Sequence, residues 1–437
     1  MGRTLIQELE GRGLVAQVSD KPRLSKHLET GSRTLYCGFD PTADSLHIGN
    51  LVPLLTLRRF QSFGHRPILL LGGATGLIGD PSGRADERGL NENDVVAGWV
   101  ERIRSQVEGL IDFEGNNAAV MTNNLDWTQA LSVIDFLRDV GKHFSVNAMI
   151  QRDSVRTRIE RDGEGISFTE FSYVLLQAMD YAELAKRYDC TVQIGGSDQW
   201  GNIVSGMDLV RRKSVGQASA EVFAMTVPLI TKADGTKFGK TASGAVWLDE
   251  ARTSPYSFYQ FWLNTADSDV IHFLKVFTFV SLEDISDLAA SLAQSPEQRV
   301  SQRRLAEEVT RLVHGAGAVE SARRITDCLF QGELTALTES DLDQLRQDGM
   351  GCTVLPDSAI GLLTAMVDAD LAPSRGAARK LVRNNGVRVN GIVQIDQDRE
   401  LDWQDALYGN YYLLRRGKKN WHLLVRDKDR AELPESA

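Results

Sequence analysis

The alternation of apolar runs with an amphipathic stretch near the head of this chain leaves few folds open. Thr34–Phe39 reads as a short strand running into the polar loop 40–45. Leu51, Leu54, Leu55, Leu57 and Phe60 then recur at helical spacing, with Asp44 or Ser45 placed to cap the helix and Gly64 to end it. A second apolar run, 67–71, closes on the glycines of G-G-A-T-G-L-I-G-D. Strand, helix and strand at this spacing predict a parallel sheet with crossover helices. Residues 191–194 repeat the pattern, with Gly195-Gly196 leading through Ser197-Asp198-Gln199 into another helix.

The rest of the chain divides around that sheet. Residues 92–187 read mostly as amphipathic helix, an insertion between sheet elements. Beyond Thr241 the pattern is helical to about Phe330, and 331–356 is choppier and reads as a linker. A last domain begins near Asp357, with an amphipathic helix at 359–367, a basic helix at 374–383 and a glycine-punctuated β segment from Val387. The expected organisation is an α/β chain: a parallel-sheet domain over 1–245, a helical domain over 246–330, the linker, and a small α+β domain over 357–430.

Charge adds a partner class. The chain carries a net charge of −10, which argues against a protein that coats nucleic acid over its whole surface. Residues 374–430, however, hold thirteen Lys or Arg against seven Asp or Glu, so a basic tail on an acidic body predicts a polyanion held at one end. No apolar run reaches the length needed to span a bilayer. Glu8, Glu10, Arg12 and Asp20 interrupt any signal-peptide core, and Ile6 stands where myristoylation needs Ser or Thr. Cys37, Cys190, Cys328 and Cys352 are far apart with no C-x-x-C pair, which argues against structural zinc or a disulfide framework and fits a reducing, cytoplasmic setting.

Two segments carry chemistry. In Y-C-G-F-D-P-T-A-D-S-L-H-I-G-N, over 36–50, a strand, a loop and a helix start meet, where unpaired N–H groups favour phosphate. His47 and Asn50 are three apart and share the face of a first helical turn, and Gly49 would let a nucleoside approach the backbone. In K-A-D-G-T-K-F-G-K-T, over 232–241, Lys237 and Lys240 lie in a glycine-containing loop able to reach a triphosphate.

Together these segments resemble the paired H-I-G-H and K-M-S-K-S motifs of the class I aminoacyl-tRNA synthetases. The phrases G-G-A-T-G-L-I-G-D-P and G-G-S-D-Q-W-G-N-I, in the right order, are similar to the tyrosyl branch. The resemblance runs through nearly the whole chain. It implies a Rossmann-like catalytic domain, a helical domain, a homodimer, and ATP with Mg2+ as substrates. Two departures stand out: Asn50 replaces the second His, so that position donates through a neutral amide, and the second motif reads Lys237-Phe238-Gly239-Lys240-Thr241.

The resemblance also implies site roles. His47, Asn50, Thr42, Lys237 and Lys240 would stabilise the phosphates in catalysis. Asp40, Gly49, Asp198 and Gln199 would join His47 and Lys240 around ATP, with Asp198 on the ribose; Arg84 and Arg88 would reach the same phosphates. Asp80, Tyr173 and Gln177 would receive the ammonium of the amino acid, and Tyr36 with Asp180 would read its phenol. Phenylalanine would leave both phenol-reading groups unpaired; such sites reject the analogue by about 10⁴–10⁵, a range established on tyrosine-specific synthetases themselves. The segments Ser374-Arg375-Gly376-Ala377-Ala378-Arg379-Lys380 and Val387-Arg388-Val389-Asn390-Gly391 resemble the RNA-binding module of ribosomal small-subunit protein four. That likeness implies a tRNA surface at Arg375, Arg379 and Lys380, with Arg415, Arg416, Lys418 and Lys419 adding charge beside Trp421.

Three other readings compete. G-A-T-G-L-I-G could be a dinucleotide loop, but Asp80-Pro81 interrupts the helix that such a loop needs. A tryptophanyl enzyme would share the architecture, yet Tyr36 with Asp180 suits a phenol better than an indole. An RNA-binding protein with an inactive synthetase body is the third; His47, Asp198, Lys237 and Lys240 speak against it.

Overall fold

Six strands form the sheet that the apolar runs predict: β1 (Gln17–Val18), β2 (Thr34–Phe39), β3 (Arg66–Leu71), β4 (Val120–Asn123), β5 (Cys190–Gly196) and β6 (Phe223–Val227), in the order β1-β6-β5-β2-β3-β4. All neighbours are parallel except β1, which runs antiparallel to β6. The computed structural model describes residues 3–80, 92–152, 155–156, 159–160, 165–214, 221–236, 238–241 and 244–427. Two units result, Met1–Leu248 with Ala266–Ser301 and Asp249–Thr265 with Gln302–Ala437.

In the first unit, β6 is buried at every position and β3 at all but Arg66, as strands covered on both faces must be. The Phe168–Tyr188 and Trp200–Lys213 helices pack over one face, around Tyr36, Leu70, Ala178, Tyr181, Ile203 and Ala224. The stretch 92–187 is not all helix. After the Asn93–Glu108 helix, β4 adds an edge strand beside β3; its four residues, Val-Met-Thr-Asn, are too few and too polar to alternate visibly. Neither Asp44 nor Ser45 caps the helix after β2. A 3₁₀ turn, Ile48–Asn50, comes first and is capped by His47, and the Leu51–Ser62 helix continues from it. Asp44 instead pairs with Arg102 at 2.8 Å, and Ser45 donates to the Leu46 carbonyl.

The second unit holds the Val300–Gln331 helix from Gln302 onward, and that helix is broken at Gly315 (φ 84°, ψ 176°). A five-stranded sheet runs in the order Ile392–Val393, Val387–Val389, Tyr411–Arg416, Asn420–Arg426, Gly351–Leu355. Its last pair is parallel and the others antiparallel. Val387, Val389, Tyr412, Leu414 and Leu424 share a core with Leu362, Met366, Ala378 and Val382 of the Leu362–Asp368 and Arg375–Arg383 helices. Leu413, Leu423 and Val425 point to the other face, with Ile325, Leu337 and Leu342. The segment 331–356, expected as a linker, carries the Glu339–Gln344 helix and the strand Gly351–Leu355. That strand pairs with residues far along the chain, so no local pattern reveals it.

Candidate active site

The first unit gathers its polar side chains where parallel strands end, the usual place for a ligand in an open α/β sheet. Asp40 follows β2, Thr75 lies just past β3, Asn124 follows β4, Asp198 follows β5 and Leu229 follows β6; all line one cleft of about 600 Å³. Gly72 makes the crowding possible. A β-carbon there would lie 2.0 Å from Asp40 Oδ1 and 2.5 Å from Thr75 Oγ1, which no side chain tolerates.

Tyr36 and Asp180 are both almost fully buried, at 1% and 2% exposure, and both line the cleft. Trp127 Nε1–H donates to Asp180 Oδ1 at 2.9 Å and Asn124 Nδ2–H to Oδ2 at 3.0 Å. Burial pushes the Asp180 carboxyl up to about 7, against the pull of those two hydrogen bonds. The Tyr36 hydroxyl has no hydrogen-bond partner among the described residues, and its pKa is driven up by burial first and by Asp180 second. A buried orphan hydroxyl is costly unless a ligand completes it. Together the two groups offer one donor and one acceptor to a guest that is both, such as a phenol.

Asp40, Asp80 and Asp198 line the same cleft. Asp40 accepts from Tyr173 Oη at 2.6 Å and from Thr75 Oγ1 at 2.6 Å. Gln199 Nε2–H donates to Asp80 Oδ2 at 2.6 Å and to Asp198 Oδ2 at 3.3 Å. Asp40, expected beside ATP, is thus bonded to Tyr173, expected beside an ammonium, and Asp80 to Gln199; the two sets of residues interlock. Burial and then the charges of Asp40, Asp80 and Asp180 raise the Tyr173 pKa. Three carboxylates acting on one phenol make this region attractive to a cation. Gln177 Oε1 is buried without a partner among the described residues, which leaves an acceptor for a donor such as an ammonium. Burial also raises the Asp198 carboxyl.

Thr42, His47, Gly49 and Asn50 line the same cleft. His47 Nδ1 accepts from Gly49 N–H at 3.1 Å, which puts the neutral imidazole's proton on Nε2. Asn50 Oδ1 accepts from His47 N–H at 3.0 Å, so its NH₂ is the end left to donate. The backbone here is clamped on two sides. Gln106 Oε1 accepts from Leu46 N–H at 2.9 Å. Ile48 N–H donates to Val246 O at 3.0 Å, and Leu248 N–H donates to Leu46 O at 2.8 Å. The chain leading out of the lysine segment, through β7 (Lys240–Thr241) and β8 (Gly244–Ala245), therefore runs against the histidine segment. Lys237, Arg84, Arg88 and the side chain of Lys240 lie outside the described residues.

In the second unit, Ser374 caps the Arg375–Arg383 helix, which buries Ala378 and Val382 and leaves Arg375, Arg379 and Lys380 exposed. Lys418 and Lys419 are exposed in a β turn. Arg415 and Arg416 differ: both are half-buried, Arg415 lies over the Trp421 ring at 5.1 Å, and Arg416 donates to the Leu371 carbonyl at 2.7 Å.

Sequence reasoning missed Thr75, Asn124, Trp127 and Gln193. Asn124 and Trp127 follow a strand read as helix; placing β4 correctly would have flagged Asn124 as a strand-end residue. Gln193 lines the cleft from within β5, with Oε1 buried and unpartnered among the described residues.

Comparison with known proteins identifies the family. Residues 28–331 match the family model described as tRNA synthetases class I (W and Y), and 341–424 match a tyrosine–tRNA ligase C-terminal domain. The tyrosine–tRNA ligase of Dechloromonas aromatica is 56% identical over 420 residues, 96% of this chain and 98% of the relative. That of Klebsiella pneumoniae is 57% identical over 421 residues, again 96% and 98%. A C-terminally truncated Aspergillus nidulans mitochondrial tyrosyl-tRNA synthetase superposes with a TM-score of 0.68 at 32% identity, covering 75% of this chain and 95% of that one.

Proposed function

The chain belongs to the class I tRNA synthetases, in the tyrosine–tRNA ligase branch, and from that premise we propose how its residues divide the work. The enzyme activates tyrosine with ATP and loads it onto tRNA. The orphan Tyr36 hydroxyl beside buried Asp180 carries our reading of the amino-acid pocket. The tyrosine phenol donates to Asp180 and accepts from Tyr36, while Asp80, Tyr173 and Gln177 hold its ammonium. Asp40 orients Tyr173 through their 2.6 Å hydrogen bond.

ATP lies with its ribose at Asp198 and Gln199 and its phosphates at Thr42, His47, Gly49 and Asn50. The tyrosine carboxylate attacks the α-phosphorus, and pyrophosphate leaves with its bridging oxygen. Donors from His47 Nε2–H and Asn50 NH₂, with the charges of Lys237 and Lys240, stabilise the phosphates as negative charge grows on the leaving group. No covalent enzyme intermediate forms, so positioning and electrostatics are the chain's contribution. Magnesium would enter as part of the ATP substrate and would help neutralise its phosphate charge. A ribose hydroxyl at the 3′ end of the tRNA then attacks the adenylate carbonyl.

The tRNA is held by Arg375, Arg379, Lys380, Lys418 and Lys419 through its backbone. Two subunits associate through an apolar surface that the first unit leaves open: Val133, Ile134 and Leu137 on a helix with no buried residue, with Val146 and Phe168, the last 76% exposed. Among the described residues no helix is long and apolar enough to cross a membrane, and we assign the enzyme to the cytoplasm. The test of the pocket is amino-acid-dependent ATP–pyrophosphate exchange with tyrosine, phenylalanine and tryptophan in parallel. Exchange with tyrosine alone is expected; equal exchange with phenylalanine would remove Tyr36 and Asp180 from the specificity role. Sedimentation as a monomer at micromolar concentration would remove the dimer.

A further inference from the structure

We propose that Phe238 is a positioning residue for Lys237 and Lys240, seated on the Asp267–Phe277 helix. The proposal rests on the reading of those lysines as groups that act on the leaving pyrophosphate.

The second motif is fastened to one helix at two points. Upstream, Asp269 Oδ1 accepts from Ala233 N–H at 2.7 Å, and Asp269 is buried. Downstream, the Phe238 ring stands edge-on to Phe273 at 4.8 Å and stacks on Phe277 at 5.0 Å. Phe273 and Phe277 are one helical turn apart, so they form a continuous aromatic seat. The chain between these points turns back on itself, with Gly235 N–H donating to Lys232 O and Asp234 accepting from Thr236.

The next residue fixes the exit. Gly239 has φ +85°, and a β-carbon there would come 3.1 Å from Ile48 Cγ1, beside His47. Its carbonyl accepts from Val246 N–H at 3.2 Å. A residue between the two lysines is thereby tied to the helix on one side and, through its neighbour, to the histidine segment on the other. Phe238 also lines the cleft.

The seat itself is anchored. Arg12 donates to Thr278 O at 3.1 Å and Val280 O at 2.8 Å, and Arg59 to Val276 O at 3.1 Å and Thr278 O at 2.6 Å. These are carbonyls at and just past the helix C-terminus, which helical bonding leaves open. Two buried guanidiniums therefore hold the far end of the helix, and a seat held this way transmits a fixed position rather than a loose one.

The test compares F238A, F238L, K240A and F238A/K240A in ATP–pyrophosphate exchange, with tyrosine affinity measured by equilibrium dialysis without ATP. F238A is expected to lower kcat or raise the ATP KM, on the order of 10²-fold combined, as misplacement near a reacting group does. Tyrosine affinity should stay unchanged, and F238L, which refills the seat, should recover most of the loss. The double variant should lose less than the product of the two single losses, because Phe238 acts in part through Lys240. If K240A is impaired while F238A stays within about twofold of the parent, the seat is overturned and the lysine reading stands. If K240A is itself unimpaired, the lysine reading falls and the proposal with it. Loss of tyrosine affinity in F238A would mark a general structural defect and overturn the proposal.

Discussion

The indole N–H of Trp127 meets Oδ1 of Asp180 at 2.9 Å, with both side chains buried. An indole donates only, so this contact favours the charged carboxylate against the burial that raises its pKa. W127F removes the donor and should raise the Asp180 pKa further. The expected result at neutral pH is about a tenfold loss in kcat/KM for tyrosine, from a charged hydrogen bond worth roughly 1.5–3 kcal/mol. Exchange assays should show partial recovery at higher pH.

Tyr36 separates binding from stability. Its hydroxyl has no partner among the described residues, so Y36F deletes no internal hydrogen bond. Thermal unfolding of the free protein should not weaken. The tyrosine KM should rise about tenfold and discrimination against phenylalanine should fall, through loss of one hydrogen bond worth about 1 kcal/mol and the phenol's unmatched acceptor.

The Asp180 pKa of about 7 sets a pH dependence. The group is charged above that value, so kcat/KM for tyrosine should fall as pH drops through 7, and D180N should flatten that limb. Stability runs the other way. A carboxyl whose folded pKa is raised contributes stability below its ordinary pKa and loses it as pH rises towards 7. Guanidinium titrations of D180N and parent should converge below pH 4 and separate above it.

His65 gives the opposite sign. It is buried, its Nδ1 accepts from Arg33 N–H at 3.2 Å, and burial with the nearby Arg33 charge lowers its pKa to about 4. The unfolded chain takes up the proton first, so its stability contribution is present above about 6.5 and is lost as pH falls towards 4. The loss should be of order 1–3 kcal/mol, and denaturant midpoints of H65N should be flatter across that window.

Replacing Arg379 and Lys380 together by alanine should weaken tRNA binding without changing ATP–pyrophosphate exchange. Both side chains are exposed on a helix whose buried positions are Ala378 and Val382, so folding should be spared. The slope of log K against log salt should fall by roughly one per lost phosphate contact. An unchanged slope would take these two residues out of the RNA surface.

What could be read in advance follows from the range of each interaction. β2, β3 and β5 were legible because each is apolar and ends in a loop of Gly or Asp. β4 was not, because an edge strand of four residues draws its identity from pairing with β3. The basic helix was legible at 374–383, since its run of charge is local, while its start at Arg375 under the Ser374 cap came from the structure. The His47 cap was missed because Asp44 and Ser45 are better capping types, and the choice was made by Val246 and Gln106, both distant in sequence. In the cleft, motif residues were visible through resemblance, whereas Asn124 and Trp127 act on Asp180 from a strand end that had been read as helix.

The parallel pairing of Gly351–Leu355 with Asn420–Arg426 bears on how the protein is made. A ribosome delivers the first unit complete once residue 301 has emerged, and nothing in its cleft waits for later residues. The second unit is different: until residue 426 is synthesised, Gly351–Leu355 lacks the strand it pairs with and offers an open edge carrying exposed Val354. Vectorial synthesis therefore gives the nascent chain the cleft proposed for tyrosine well before the surface proposed for RNA is finished.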